Sequence, residues 1–113
     1  MLGEDRAVCL MRRDHPLTAH DTLSQAAYLA HKHVRISGGG DKDSPVEQVL
    51  APQGLLRRWF ARVPFFQAAV EVLLRTDCLM TTPAHIAWQL SCGHELTFVD
   101  LPFATRDQQY HLL

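Results

Sequence analysis

Five short apolar runs, each separated from the next by a segment carrying helix-start chemistry, constrain the fold of this 113-residue chain more than any other feature. Ala7 to Arg12 reads as the first strand, ended by the turn-prone Asp14-His15-Pro16. Thr22 is the expected start of a helix, with Gln25 three residues later completing a capping-box pattern and Leu23, Ala26, Ala27 and Ala30 on its apolar face. His33 to Ser37 is the second strand, followed by Gly38-Gly39-Gly40. Ser44, Pro45 and Glu47 then mark a helix start that Gly54 is placed to end. Arg58 to Val63 is the third strand, and a helix is expected from Pro64 to about Arg75. Two adjacent stripes, Phe65/Ala69/Val72 and Phe66/Val70/Leu73, give that helix a wide apolar face. Cys78 to Thr81 is the fourth strand. Thr82 is the expected cap of a helix with Pro83 in its first turn and Gly93 at its end. Leu96 to Leu101 is the fifth strand, and Gln109 to Leu113 the start of a sixth.

Strands alternating with helices predict an α/β fold: an open, mostly parallel sheet with helices on both faces. Right-handed crossovers place the strand-to-helix loops at the carboxyl edge, where ligands of open α/β sheets bind. Three loops therefore matter: Ser37 to Asp43, Val63 to Phe66, and Thr81 to Pro83.

Composition excludes several alternatives. Lys+Arg 11 against Asp+Glu 12 leaves no basic footprint for nucleic acid. No apolar run is long enough to span a membrane, and MLGEDRAV is too polar to read as an export signal. Cys9, Cys78 and Cys92 are odd in number and unpaired in spacing, which fits a cytoplasmic location. The seven histidines include no metal-ligand spacing, so no metal or other cofactor is expected. The triple glycine lacks both the Gly-Lys-Ser/Thr ending of a phosphate loop and the spacing of a dinucleotide fingerprint; Asp41 and Asp43 would repel a phosphate. No nucleophile elbow or carboxylate pair points to an enzyme.

The helix start at Val63-Pro64-Phe65-Phe66 differs from the other three. The residue before Pro64 is Val63, which has no side-chain oxygen for the orphan N–H groups of the first turn. Such a start suits a carboxylate or similar anion, with Phe65 or Phe66 lining the apolar side of the pocket. The alternative is that water or Gln67 satisfies the N–H groups and both aromatics are core.

Taken in order, several segments resemble the LysR-type transcriptional regulators. Arg12-Arg13-Asp14-His15-Pro16-Leu17 is similar to the stretch after the first crossover strand between their two regulatory lobes, and Thr22-Leu23-x-x-Ala26 to the helix that follows. His33 to Gly39, Asp43 to Val46, Gly54-Leu55-x-Arg57 and Val63 to Phe66 continue the match. Thr76-Asp77-x-Leu79, Thr82 to Ala87 and Leu101-Pro102-Phe103 complete it. The resemblance implies a lobe of the periplasmic-binding-protein type II kind, with residues 1–113 supplying the second of two lobes around an effector cleft. Residues 7–12 and 109–113 would be the segments crossing between lobes.

The same resemblance implies a small-molecule effector, an aromatic acid among the candidates. It implies DNA contact only through a DNA-binding domain outside this chain, and assembly as a homo-oligomer, a dimer or tetramer. It assigns the effector contacts to Ser37, Gly38 and Gly39 and to Val63, Pro64, Phe65 and Phe66. Family members that bind carboxylates often carry a hydroxyl residue near the position of Val63, so valine there favours a partly apolar effector. A transport-type solute-binding domain would share the fold and is the competing reading.

Overall fold

The computed structural model describes residues 6–19, 22–36 and 45–103. Five strands and four α-helices follow in the order β1 (Ala7–Arg12), α1 (Gln25–Ala30), β2 (His33–Ile36), α2 (Pro45–Leu50), β3 (Trp59–Val63), α3 (Phe66–Arg75), β4 (Met80–Pro83), α4 (Ala84–Gly93) and β5 (Leu96–Asp100). The candidate sixth strand at residues 109–113, and with it the return crossover, lies outside the described residues.

The strands form two ladders. Strand β1 lies between β4 and β5 and is antiparallel to both; β2 and β3 pair in parallel. One parallel bridge, His33 to Leu79, joins the ladders. The sheet therefore reads β5-β1-β4-β2-β3, with β2, β3, β4 and β5 running one way and β1 the other. The sheet is thus mixed: its strand directions are mostly parallel, but β1 reverses. An alternation of strands and helices does not specify from which side the first strand enters, so its direction was not readable.

Strand β1 shows why both faces are covered. Its side chains alternate across the sheet. Val8 and Leu10 join a core with Ala69, Val70 and Leu73 of α3 and Ala87 of α4. Cys9 and Met11 join the opposite core with Tyr28 of α1 and Val46 and Leu50 of α2. All four β1 residues are fully buried, as a near-continuous apolar run requires when helices pack on both sides.

Three helix starts differ from expectation. Helix α1 is capped by Ser24, not Thr22: the Ser24 Oγ accepts from the Ala27 N–H at 3.1 Å. With Ser24 as cap, Leu23 before it and Tyr28 in the first turn are buried in the same cluster, the arrangement of a hydrophobic staple. Thr82 caps nothing. The β1–β4 ladder runs on to Ala7 and Pro83, so Thr82 is a buried strand residue and Pro83 holds the cap position of α4. The Ala84 N–H is instead accepted by the Arg6 carbonyl at 2.8 Å. Helix α3 starts at Phe66 with extended Phe65 as cap, so Pro64 stands outside it. Of the helix ends, Gly54 behaves as read: it takes φ +75° and returns its N–H to the Ala51 carbonyl at 2.9 Å.

The Asp14-His15-Pro16 turn has a structural role. His15 is buried; its Nε2 donates to the Asp77 carbonyl at 2.8 Å while Nδ1 accepts from the Leu17 N–H at 3.0 Å. Arg12 reaches Asp14 at 2.7 Å and Asp77 at 2.5 Å, holding both carboxyls below the usual carboxylate range. These bonds tie the exit of β1 to the entry of β4, at the edge opposite the loops singled out above.

Candidate functional site

The two ladders separate just where the sheet needs a binding edge. Leu79 exchanges hydrogen bonds with β2, donating to the Lys32 carbonyl and accepting from the Val34 N–H, both at 2.9 Å. The next rung, from the Thr81 N–H to the Val34 carbonyl, is not made: the bridge is isolated. Beyond it β4 stays with β1 while β2 stays with β3, and the strands splay toward their carboxyl ends. Backbone groups left in such a split require other partners.

A cavity of about 320 Å³ occupies the split. Val34, Arg35 and Ile36 line it from β2, and Met80, Thr81, Thr82 and Pro83 from β4; Arg57, Trp59 and Phe66 complete it. Its size suits a small organic molecule. Two arginines and no carboxylate are among the described residues that line it.

Arg57 is the organising side chain. Only 9% exposed, it pairs with Glu47 of α2 through both Nε, at 3.0 Å, and Nη2. Its Nη1 is 3.5 Å from the Tyr28 hydroxyl, which in turn lies 2.5 Å from Thr81 Oγ1. Burial raises the Tyr28 phenol to about 12, so it keeps its hydrogen at neutral pH. Arg57 and Arg35 both stand over the Trp59 ring, 4.4 Å and 4.5 Å from its centroid. Trp59 itself is 37% exposed, presenting an aromatic surface held by two cations. Behind this group His33 is fully buried, its Nε2 bonded to the Tyr28 carbonyl at 2.8 Å and its Nδ1 without a hydrogen-bond partner. Burial is the main reason its pKa falls to about 4.

Of the residues singled out from the sequence, Phe66 lines the cavity, whereas Val63, Pro64 and Phe65 do not. Val63 is buried in the core beside α3, while Phe65 points to solvent, 59% exposed. Neither phenylalanine is core. The uncapped helix start persists, two residues later than expected: no side chain caps α3, and the Ala68 and Ala69 N–H groups both turn to the Phe65 carbonyl. It is not unique, because α4 also lacks a side-chain cap. Ser37, Gly38 and Gly39 lie outside the described residues.

The Thr81 to Pro83 loop, named from the sequence as a cleft edge, lines the cavity, whereas sequence reasoning did not single out Arg35, Arg57, Trp59 or Tyr28 for the site. The available signal was Arg57, an arginine two residues before a tryptophan at a strand entry, here buried against Glu47. Glu47, which marks the start of α2 in the sequence, gives its carboxylate to Arg57. Among the described residues, no group of three or more His, Cys, Asp or Glu is placed to hold a metal ion.

Comparison with known proteins decides the family. The model of the LysR substrate binding domain matches residues 1–113, the whole chain. The chain belongs to the LysR substrate-binding domain family. This LysR domain is 34% identical over 86 residues to the HTH-type transcriptional activator NahR of Pseudomonas putida, covering 76% of this chain and 28% of NahR. It is 32% identical over 96 residues to the HTH-type transcriptional activator NagR of a Ralstonia species, covering 85% of this chain and 32% of NagR. The crystal structure of the regulatory domain of MexT, a transcriptional activator in Pseudomonas aeruginosa, superposes with a TM-score of 0.76 at 30% identity. That match covers 90% of this chain and 49% of the MexT domain. The LysR domain thus spans about a third or less of the two curated relatives. LysR-type regulatory domains bind effectors and carry out no catalysis, so this domain is not an enzyme.

Proposed function

We propose that the chain is one lobe of a two-lobed effector domain, of the periplasmic-binding-protein type II kind, in a cytoplasmic LysR-type transcriptional regulator. A small organic molecule with an apolar body and an acidic group, an aromatic acid being the simplest, binds over the split between β2 and β4. The second lobe closes on it. The match to about half of a complete regulatory domain supports the one-lobe reading. The single observation that carries the ligand reading is the splayed pair of strands, whose cavity combines the Trp59 and Phe66 rings with two guanidinium groups. Closure alters transcription only if the effector binds two arrangements of the regulator with different affinity. DNA contact belongs to a part of the regulator outside this chain, and the working regulator is a homo-oligomer. The relatives favour a regulator over a transport-type solute-binding domain, since both are transcriptional activators.

The two phenylalanines give the test. Phe66 lines the cavity and Phe65 does not, yet both are substantially exposed. Phe66→Ala is expected to weaken binding of benzoate, the simplest aromatic carboxylate, by about fivefold through loss of one ring contact. Phe65→Ala leaves it unchanged. Both variants keep stability within about 1 kcal/mol, as for partly exposed positions. Equal effects of the two variants on binding, measured by NMR titration, would contradict this placement.

A further inference from the structure

Thr81 stands where the sheet splits, and its hydroxyl ends a hydrogen-bond chain whose direction is fixed at the other end. A guanidinium has only hydrogens to donate. The Arg57 charge, 3.5 Å from the Tyr28 oxygen, therefore turns the phenol hydrogen away from itself even though that contact is long. The other neighbour of the hydroxyl is Thr81 Oγ1 at 2.5 Å, so Tyr28 donates there and Thr81 accepts. The hydrogen of Thr81 is then unspent, and among the described residues no second acceptor takes it. The Thr81 main-chain N–H also lacks the Val34 carbonyl that a continued ladder would give it. Both donors belong to a residue lining the cavity. Arg57 is held by Glu47 and by its place beside Trp59, so it orients the chain rather than supplying the contact.

We propose that Thr81 is the specificity-determining hydrogen-bond donor of this pocket, selecting ligands that present an oxygen acceptor, a carboxylate above all, over ligands that present a donor. Tyr28 and Arg57 are positioning residues that set the direction of its hydroxyl. The proposal rests on the reading of the split as the ligand site. It adds which atoms read the ligand and with what polarity.

Titrating the 113-residue chain with benzoate and with aniline, followed by NMR, tests it. The wild type is expected to bind benzoate more tightly than aniline. Thr81→Val, of nearly the same shape, weakens benzoate by about tenfold, the loss of a hydrogen bond to a charged group, and leaves aniline nearly unchanged. Thr81→Ser restores benzoate binding. Tyr28→Phe lowers the preference for benzoate over aniline, because the Thr81 hydrogen is then free to turn. If benzoate shifts the Trp59 and Phe66 signals while Thr81→Val binds as the wild type does, the donor role is overturned and the pocket stands. If benzoate leaves Trp59 and Phe66 untouched in the wild type, the pocket reading falls and the proposal with it.

Discussion

Replacing Leu10 by alanine is expected to lower the stability of the domain by about 3 kcal/mol, within the range for a leucine removed from a packed core. Leu10 is fully buried in β1, whose neighbours β4 and β5 fix it from both sides. It packs in the same core as Leu73 of α3 and Ala87 of α4, so the space left behind has little freedom to close. Domains of this size have a total stability of roughly 5 to 15 kcal/mol, so the variant loses a large part of it. The urea midpoint measures the effect. A shift worth less than about 1 kcal/mol would mean that β1 is not the centre of the sheet.

Mild acid is expected to cost nearly as much, through His33. Its folded pKa of about 4 lies below the usual value of 6.5 because burial, aided by the Arg57 and His31 charges, disfavours the imidazolium. Its bond to the Tyr28 carbonyl and the Glu47 carboxylate act in the opposite sense without reversing it. The unfolded chain therefore binds a proton between pH 6.5 and 4 that the folded chain refuses. The stability from this group is complete above pH 6.5, falls as pH drops through that window, and is gone by about pH 4, a loss of roughly 3 kcal/mol. Asp14 and Asp77 contribute below this range, since Arg12 holds their carboxyls low. Denaturation at a series of pH values, with the His33 ring followed by NMR, separates the two. Stability flat from pH 6.5 to 4, or a His33 ring titrating near 6.5, would show that the imidazole is not buried as described.

Much of the fold was legible because it depends on patterns along the chain. The run Ala7 to Arg12 reads as a strand and is one, and Ala69, Val70 and Leu73, all in the two apolar stripes, are the buried residues of α3. Gly54 marks its helix end because the left-handed turn there suits glycine. Cap positions were less legible. Thr22 and Ser24 are both competent caps, and the choice falls to Ser24 through burial of Leu23 with Tyr28, a tertiary contact. Thr82 looks like a cap until its pairing with Val8 draws it into β4.

The site was legible only in part, for a related reason. Phe66 follows a strand and reads as a cleft residue from local order. Arg57, Glu47, Tyr28 and Thr81 come from four separate segments, and only packing of α1, α2 and β4 around the entry of β3 brings them together. The split itself could not be read. It lies where β4 leaves β2 after the single His33–Leu79 bridge, a relation between distant segments that no local pattern records.

In the proposed function, ligand binds in the split between β2 and β4. Intermolecular NOEs between benzoate ring protons and the chain test it most directly. The predicted result is contacts to the Trp59 indole and the Phe66 ring with binding in the millimolar range, since a second lobe is needed to close the site. Contacts confined to other surfaces, or nanomolar binding by this chain alone, would contradict it.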